Sequence, residues 1–245
     1  MFDASGAPAP RAKKPRKRRR GVALGRRPQA KRVGFVPHKK RDAHDWHHPV
    51  HVSMRRVKRA PSLRSERIFR TILGQVARLK RRAVRVVQYS VQHDHLHLIV
   101  EGHDRHDLSA QMRKLFSSIA LAVNAIARRR GSLFPDRHHR EELKNPTKTR
   151  NALIYVLFND RKHHAQTGGA ITEELLNELD DRSSVAWLDS ASWEERARPP
   201  PEVIARLRTS ESRAALTEPR TWFAQAGWRI RGGGPIRVHE LPRFL

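Results

Sequence analysis

The chain has 245 residues, no cysteine and a formal net charge of +27, from 51 Lys and Arg against 24 Asp and Glu. Without Cys, a disulfide framework, a thiolate zinc site, an iron–sulfur cluster and a cysteine nucleophile are excluded, so any metal must sit on His, carboxylate or amide ligands. No apolar run approaches the roughly 18 to 20 residues that span a bilayer, and a chain this basic attracts phosphate, so the expectation is a soluble, cytoplasmic, nucleoid-associated protein whose partner is nucleic acid.

The charge separates a tail from a domain. Residues 1–41 hold fifteen Lys or Arg and one acid, Asp3, densest in the run containing Lys13, Lys14, Arg16, Lys17, Arg18, Arg19 and Arg20. Such a segment cannot bury a core, and disorder is expected over residues 1–44, as a solvated extension or an arm for DNA phosphates. The remaining chain is still basic, with 36 Lys and Arg against 23 acids.

Globular patterning begins near residue 49. Residues 49–54 alternate and are rich in β-branched side chains, which predicts a strand. Ile68, Ile72, Val76 and Leu79 then fall at helical spacing up to a basic end at Lys80, Arg81 and Arg82. Residues 85–91 and 95–101 read as a hairpin split by the polar turn His93-Asp94. A long helix follows from about Leu108 to Arg129, ending in Arg128, Arg129 and Arg130, and residues 132–143 read as a short strand or hairpin containing Pro135. Asn145-Pro146-Thr147 caps a helix expected to run through about His163. This order predicts an α+β fold, an antiparallel sheet with helices packed on one face, in a ferredoxin-like sandwich over residues 45–169. Residues 170–245 read as an irregular C-terminal extension of loops and short helices, docked by Trp187, Trp193, Trp222 and Trp228.

Two features carry chemistry. On a strand, residues i and i+2 share a face about 7 Å apart, so His95 and His97 project together while Leu96 and Leu98 point into the core. Such a pair is half a metal site or two ordinary sheet-surface histidines. On the last helix, Leu153, Ile154, Leu157 and Phe158 form a buried stripe, and Tyr155 and Asn159, four apart, stand together on the other side with Lys162 nearby.

Taken together, the His-Leu-His strand within residues 90–101 and the helix Tyr155-Val-Leu-Phe-Asn159 followed by basic residues resemble the single-tyrosine HUH transposases, most closely the branch related to REP-associated tyrosine transposases. The likeness spans roughly residues 45–165. It implies a divalent metal, Mg²⁺ or Mn²⁺, on His95, His97 and more weakly Asn159. It implies Tyr155 as the nucleophile that cleaves single-stranded DNA through a 5′-phosphotyrosine link. DNA hairpin ends and a homodimer are implied as partners. His93 and Asp94 stand where relatives often carry a small residue and Asn, and so join His138, His139 and Lys162 as accessory candidates. Arg81, Arg82, Arg128, Arg129 and Arg130 are candidate DNA-backbone contacts or simply basic helix ends. His44, His47, His48, His163 and His164 read as loop and helix-end residues, and Tyr89 as sheet packing. The competing expectation is a catalytically silent DNA- or RNA-binding protein with the same fold and charge.

Overall fold

A computed structural model of the chain describes residues 43–81 and 83–242. Nearly all of the expected basic tail lies outside them, including Lys13, Lys14, Arg16, Lys17, Arg18, Arg19 and Arg20, and so does Arg82. The first strand, β1 (Val50–Arg55), leads to α1 (Glu66–Ala77), whose last turn tightens into a 3-10 turn over Arg78–Arg81. The hairpin β2 (Val84–Val91) and β3 (His95–Gly102) follows, then α2 (Arg105–Ile126), β4 (His139–Glu142), α3 (Pro146–Leu157) and α4 (Asn159–Gln166). The strands form one antiparallel sheet in the order β2-β3-β1-β4, the α+β class that the strand and helix periodicities predict.

Strand alternation gives the sheet two different faces. Val50, Val52 and Met54 of β1 share one face with Leu96, Leu98 and Val100 of β3 and with Val84, Val86, Tyr89 and Val91 of β2, all buried in one core under α1 and α2. Val87 points to the other face, and a register shift between Val86 and Gln88 brings Tyr89 and Val91 back onto the face of Val84 and Val86. On that second face the register sets His51 opposite Ile99, Ser53 opposite His97 and Arg55 opposite His95.

α2 begins three residues before the apolar stripe because Asp104 caps it, accepting from the amides of His106 (2.7 Å) and Asp107 (2.8 Å). Leu108, Met112, Leu115, Ile119 and Val123 are its buried stripe. α3 starts as the sequence predicts, with Asn145 Oδ1 accepting from the Lys148 amide at 2.8 Å and Pro146 in the first turn. It does not run unbroken to His163. Phe158, at φ −116° and ψ 30°, interrupts it, and α4 starts at Asn159.

Helices cover both faces of this sheet, where the sequence pattern places them on one. α1 and α2 take the first face, and α3 packs over Val87 and Ile99 on the second. The reason lies in the C-terminal extension, which covers the outer side of α3. Leu179, Val185, Leu188, Trp193, Trp228, Ile236 and Val238 complete the second core, so Ala152, Leu153, Ile154, Val156 and Leu157 are buried on nearly every side of α3. Trp193 and Trp228 are 4% and 2% exposed, and each buried aromatic contributes about 2 kcal/mol or more. Trp187 docks instead beside the first core, donating from Nε1 to Ser212 Oγ at 2.8 Å. Trp222 does not dock the extension: it is 44% exposed. The short helices of the extension are α5 (Glu173–Asn177), α6 (Pro201–Leu207) and α7 (Ser210–Ala215). Among the described residues no helix is long and apolar enough to cross a membrane.

Candidate active site

The second face of the sheet ends, at the start of β3, in a cluster of four imidazoles, a phenol and an amide. β3 contributes His95 and His97, β1 contributes His51, and the α3–α4 junction lowers Tyr155, Asn159, Lys162 and His163 onto them. The rings of His95 and His97 lie edge to face, 4.5 Å between centres, and the Tyr155 ring stands edge-on to His97 at 5.3 Å and to His51 at 5.8 Å. Lys162 Nζ donates to Tyr155 Oη at 3.0 Å.

Hydrogen bonds assign each polar atom a direction. His95 Nδ1 donates to Asp94 Oδ1 at 2.6 Å, so its Nε2 carries a lone pair. Asn159 Nδ2 donates to the carbonyl of Tyr155 at 3.2 Å, which turns Oδ1 toward His95 Nε2, 3.3 Å away. Two acceptors therefore face each other, an arrangement that is resolved by a cation beside them or by a second proton on His95. His163 Nε2 lies 3.2 Å from the same His95 nitrogen. His97 Nε2 is buried with no hydrogen-bond partner, while its Nδ1 is 3.0 Å from His51 Nε2.

The electrostatics favour neutral rings for His51, His97 and His163. Burial pushes His97 well below the ordinary histidine range, with the neighbouring His51, His95 and His163 adding to it. Burial likewise lowers His51 to about 4, against a raising influence from Glu141 across the β1–β4 pair. His163, half-buried, is lowered to about 4 by burial and then by His95. The hydrogen bond to His95, and less strongly Arg55 at 3.5 Å, holds the Asp94 carboxyl far below its usual range.

Of the residues singled out in the sequence, His95, His97, Asn159, Tyr155, Lys162 and Asp94 come together. His93 is drawn away, its Nδ1 2.9 Å from Ser62 Oγ in the loop before α1. His138 lies on the opposite face of the sheet, stacked on Phe116 of α2 at 5.6 Å. His139 is exposed on β4, opposite Ser53. Arg129 donates to Asn124 Oδ1 (2.6 Å) and to the carbonyl of Ser132 (3.2 Å), fastening the end of α2, with Arg128 and Arg130 exposed beside it. Arg81 closes the turn after α1. Tyr89 is buried against Phe69 in the first core, and burial raises its phenol.

Two members of the cluster do not stand out in the sequence. His163 reads there as a solvated helix end, yet it completes the i, i+4, i+8 line Tyr155-Asn159-His163, a stripe that points to one face. His51 needs the β1–β3 register, which places it diagonal to His97.

No model of a known protein family matches the chain, and no curated protein matches it. A solved structure has a related backbone. It is that of a REP-associated tyrosine transposase bound to a REP hairpin, 17% identical, with a TM-score of 0.42 over 52% of this chain and 74% of that one. A likeness of this size assigns no residue a role.

The donor set fits a divalent ion. His95 Nε2, Asn159 Oδ1 and His163 Nε2 converge, and His97 Nε2 is an unpaired buried nitrogen. Among the described residues no group of three or more His, Asp or Glu side chains is arranged to hold a metal ion, so the donors named here amount to a set only with the Asn159 amide counted among them. Two clefts of about 550 and 600 Å³ lie elsewhere, one lined by Arg64, Asp160, Asp180 and Arg182, the other by Phe116, Leu133, Phe134 and His138.

Proposed function

We propose that the chain is a transposase-like, metal-dependent single-stranded DNA endonuclease and strand transferase with Tyr155 as its nucleophile. The observation that carries this reading is the facing pair of acceptors, His95 Nε2 and Asn159 Oδ1, held one helical turn from a phenol that already accepts from Lys162. His95, His97 and Asn159, joined by His163, would hold Mg²⁺ or Mn²⁺. Bound there, the ion offsets negative charge on the nonbridging oxygens of a phosphodiester and aligns it.

The chain's own groups do the rest. Tyr155 Oη attacks phosphorus as its proton passes to water, the bond from phosphorus to the 3′-oxygen breaks, and that oxygen takes a proton from water and departs as a 3′-hydroxyl. The 5′ end stays on Tyr155, and attack by a second 3′-hydroxyl reverses the step to complete transfer. A neutral phenol is a weak nucleophile, and the Lys162 ammonium stabilises the phenolate as it forms. Asp94 keeps the His95 lone pair turned inward. Residues 1–41, with their net +14, act as the arm for DNA phosphates, and two cut ends held at once call for a homodimer.

Labelled single-stranded hairpin DNA incubated with the protein and Mn²⁺ should yield a covalent protein–DNA band on a denaturing gel. Tight binding with no adduct at any divalent metal would instead favour the silent DNA- or RNA-binding protein.

A further inference from the structure

We infer that His51 is a positioning residue for His97: it accepts from His97 Nδ1–H through its own Nε2 and so fixes the tautomer in which His97 Nε2 offers a lone pair to a divalent cation. The inference rests on the metal reading above and adds to it a residue on another strand that touches neither ion nor DNA.

The direction of the hydrogen bond follows from the accounting of protons. The two nitrogens, His51 Nε2 and His97 Nδ1, are 3.0 Å apart, so one of them carries the hydrogen. If His51 donated, the neutral His97 would hold its proton on Nε2, an atom buried with no partner. A buried unpaired N–H is rare and costly, whereas an unpaired lone pair can wait for a cation. If His97 donates, its Nδ1–H is satisfied and only the lone pair remains. The same division is present on the neighbouring ligand, where Asp94 takes the His95 Nδ1–H. Metal-binding histidines usually give their second N–H to such a partner, and loss of that partner commonly lowers metal affinity 10–100-fold. The surroundings hold His51 firmly in this position. It is 5% exposed, its ring is stacked on His97 at 5.1 Å and edge-on to Tyr155, and Val50 and Val52 on either side are anchored in the first core.

The test compares full-length wild type with His51→Gln, whose amide oxygen can accept near the place of Nε2, and His51→Leu, which cannot. Mn²⁺ affinity is read from the electron paramagnetic resonance signal of the free ion. The His97 tautomer is read from long-range ¹H–¹⁵N spectra of the metal-free protein, assigned with His97→Gln. The expected result is an Nδ1–H tautomer of His97 in wild type, a 10–100-fold loss of Mn²⁺ affinity in His51→Leu, and affinity within about threefold of wild type in His51→Gln. Wild-type binding of Mn²⁺ by His51→Leu, or an Nε2–H tautomer of His97 in wild type, overturns the inference and leaves the metal reading standing. Wild-type protein that binds no Mn²⁺, or binds it equally after His95→Ala, overturns the metal reading itself and this inference with it.

Discussion

Lys162 Nζ stands 3.0 Å from Tyr155 Oη and 4.4 Å from the centre of the same ring. The two are seven residues apart, on opposite sides of the break at Phe158, and the pairing gives the phenol a fixed cation. Lys162→Met should lower the rate of adduct formation at neutral pH by about 100-fold, a deficit that narrows as the pH rises. Lys162→Arg keeps the charge and should fall between. A rate deficit that stays constant across the pH range would mean that Lys162 acts only by holding DNA.

Tyr155→Phe removes one oxygen and leaves the ring against His51 and His97. Folding, Mn²⁺ binding and DNA binding should persist while the covalent adduct disappears. Tyr89→Phe is the internal control, since that phenol is sealed in the first core, and it should cleave at the wild-type rate. An adduct formed by Tyr155→Phe would place the nucleophile elsewhere.

One chain brings its own tyrosine to its own histidines, with Tyr155 and His97 ring centres 5.3 Å apart. Mixing His95→Ala protein with Tyr155→Phe protein should therefore give no rescue of cleavage. Restored adduct in the mixture, measured on the same gel, would show that subunits exchange the tyrosine helix.

The buried imidazoles make stability depend on pH. His51 is held at about 4 by burial, against about 6.5 for a free histidine. Between these values the unfolded chain binds a proton that the folded chain refuses, so the contribution is complete above about pH 6.5 and is lost as pH falls toward 4. For His51 the loss is on the order of 3 kcal/mol; half-buried His163 shifts the same way but counts for less because water screens it. Urea midpoints in chelator at about pH 7.5 and about pH 5 should fall less in His51→Gln than in wild type. An equal fall would assign the acid sensitivity to other groups.

Arg161 ties the site to the C-terminal extension. Its side chain is fully buried and donates to four carbonyls, those of Val238 (2.5 Å), Glu240 (3.1 Å), Leu176 (2.9 Å) and Glu178 (2.9 Å). Arg161→Met strands those carbonyls and should cost on the order of 3–5 kcal/mol, seen as a lower denaturant midpoint and as early proteolysis within residues 170–245. Because α4 carries Asn159, Lys162 and His163, cleavage activity should fall with it.

The sheet and the first three helices were legible because their signals are local. Alternation at residues 49–54, the hairpin pattern over 85–91 and 95–101, the Asn145 cap and the helical run from Leu108 each speak for their own segment; the earlier start of α2 at the Asp104 cap was not read. The His95-His97 pair and the Tyr155-Asn159 spacing were legible for the same reason. His51 was not, because its role depends on which strand lies beside β3 and in what register. His163 was hidden by the break at Phe158, and the second helical face by an extension whose apolar residues, from Leu179 to Val238, follow no period.

α3 is packed on both sides, and this sets how the molecule tolerates rearrangement. A helix that faces the sheet with one side and Trp193, Trp228 and Ile236 with the other keeps only a narrow line, Thr147, Asn151 and Tyr155, toward solvent. Shortening the chain near residue 169 would leave Val156, Leu157 and Phe158 as a bare apolar ridge beside the nucleophile. The extension thus behaves as a keystone: its loss would register first as self-association of the protein, and only then as failed chemistry.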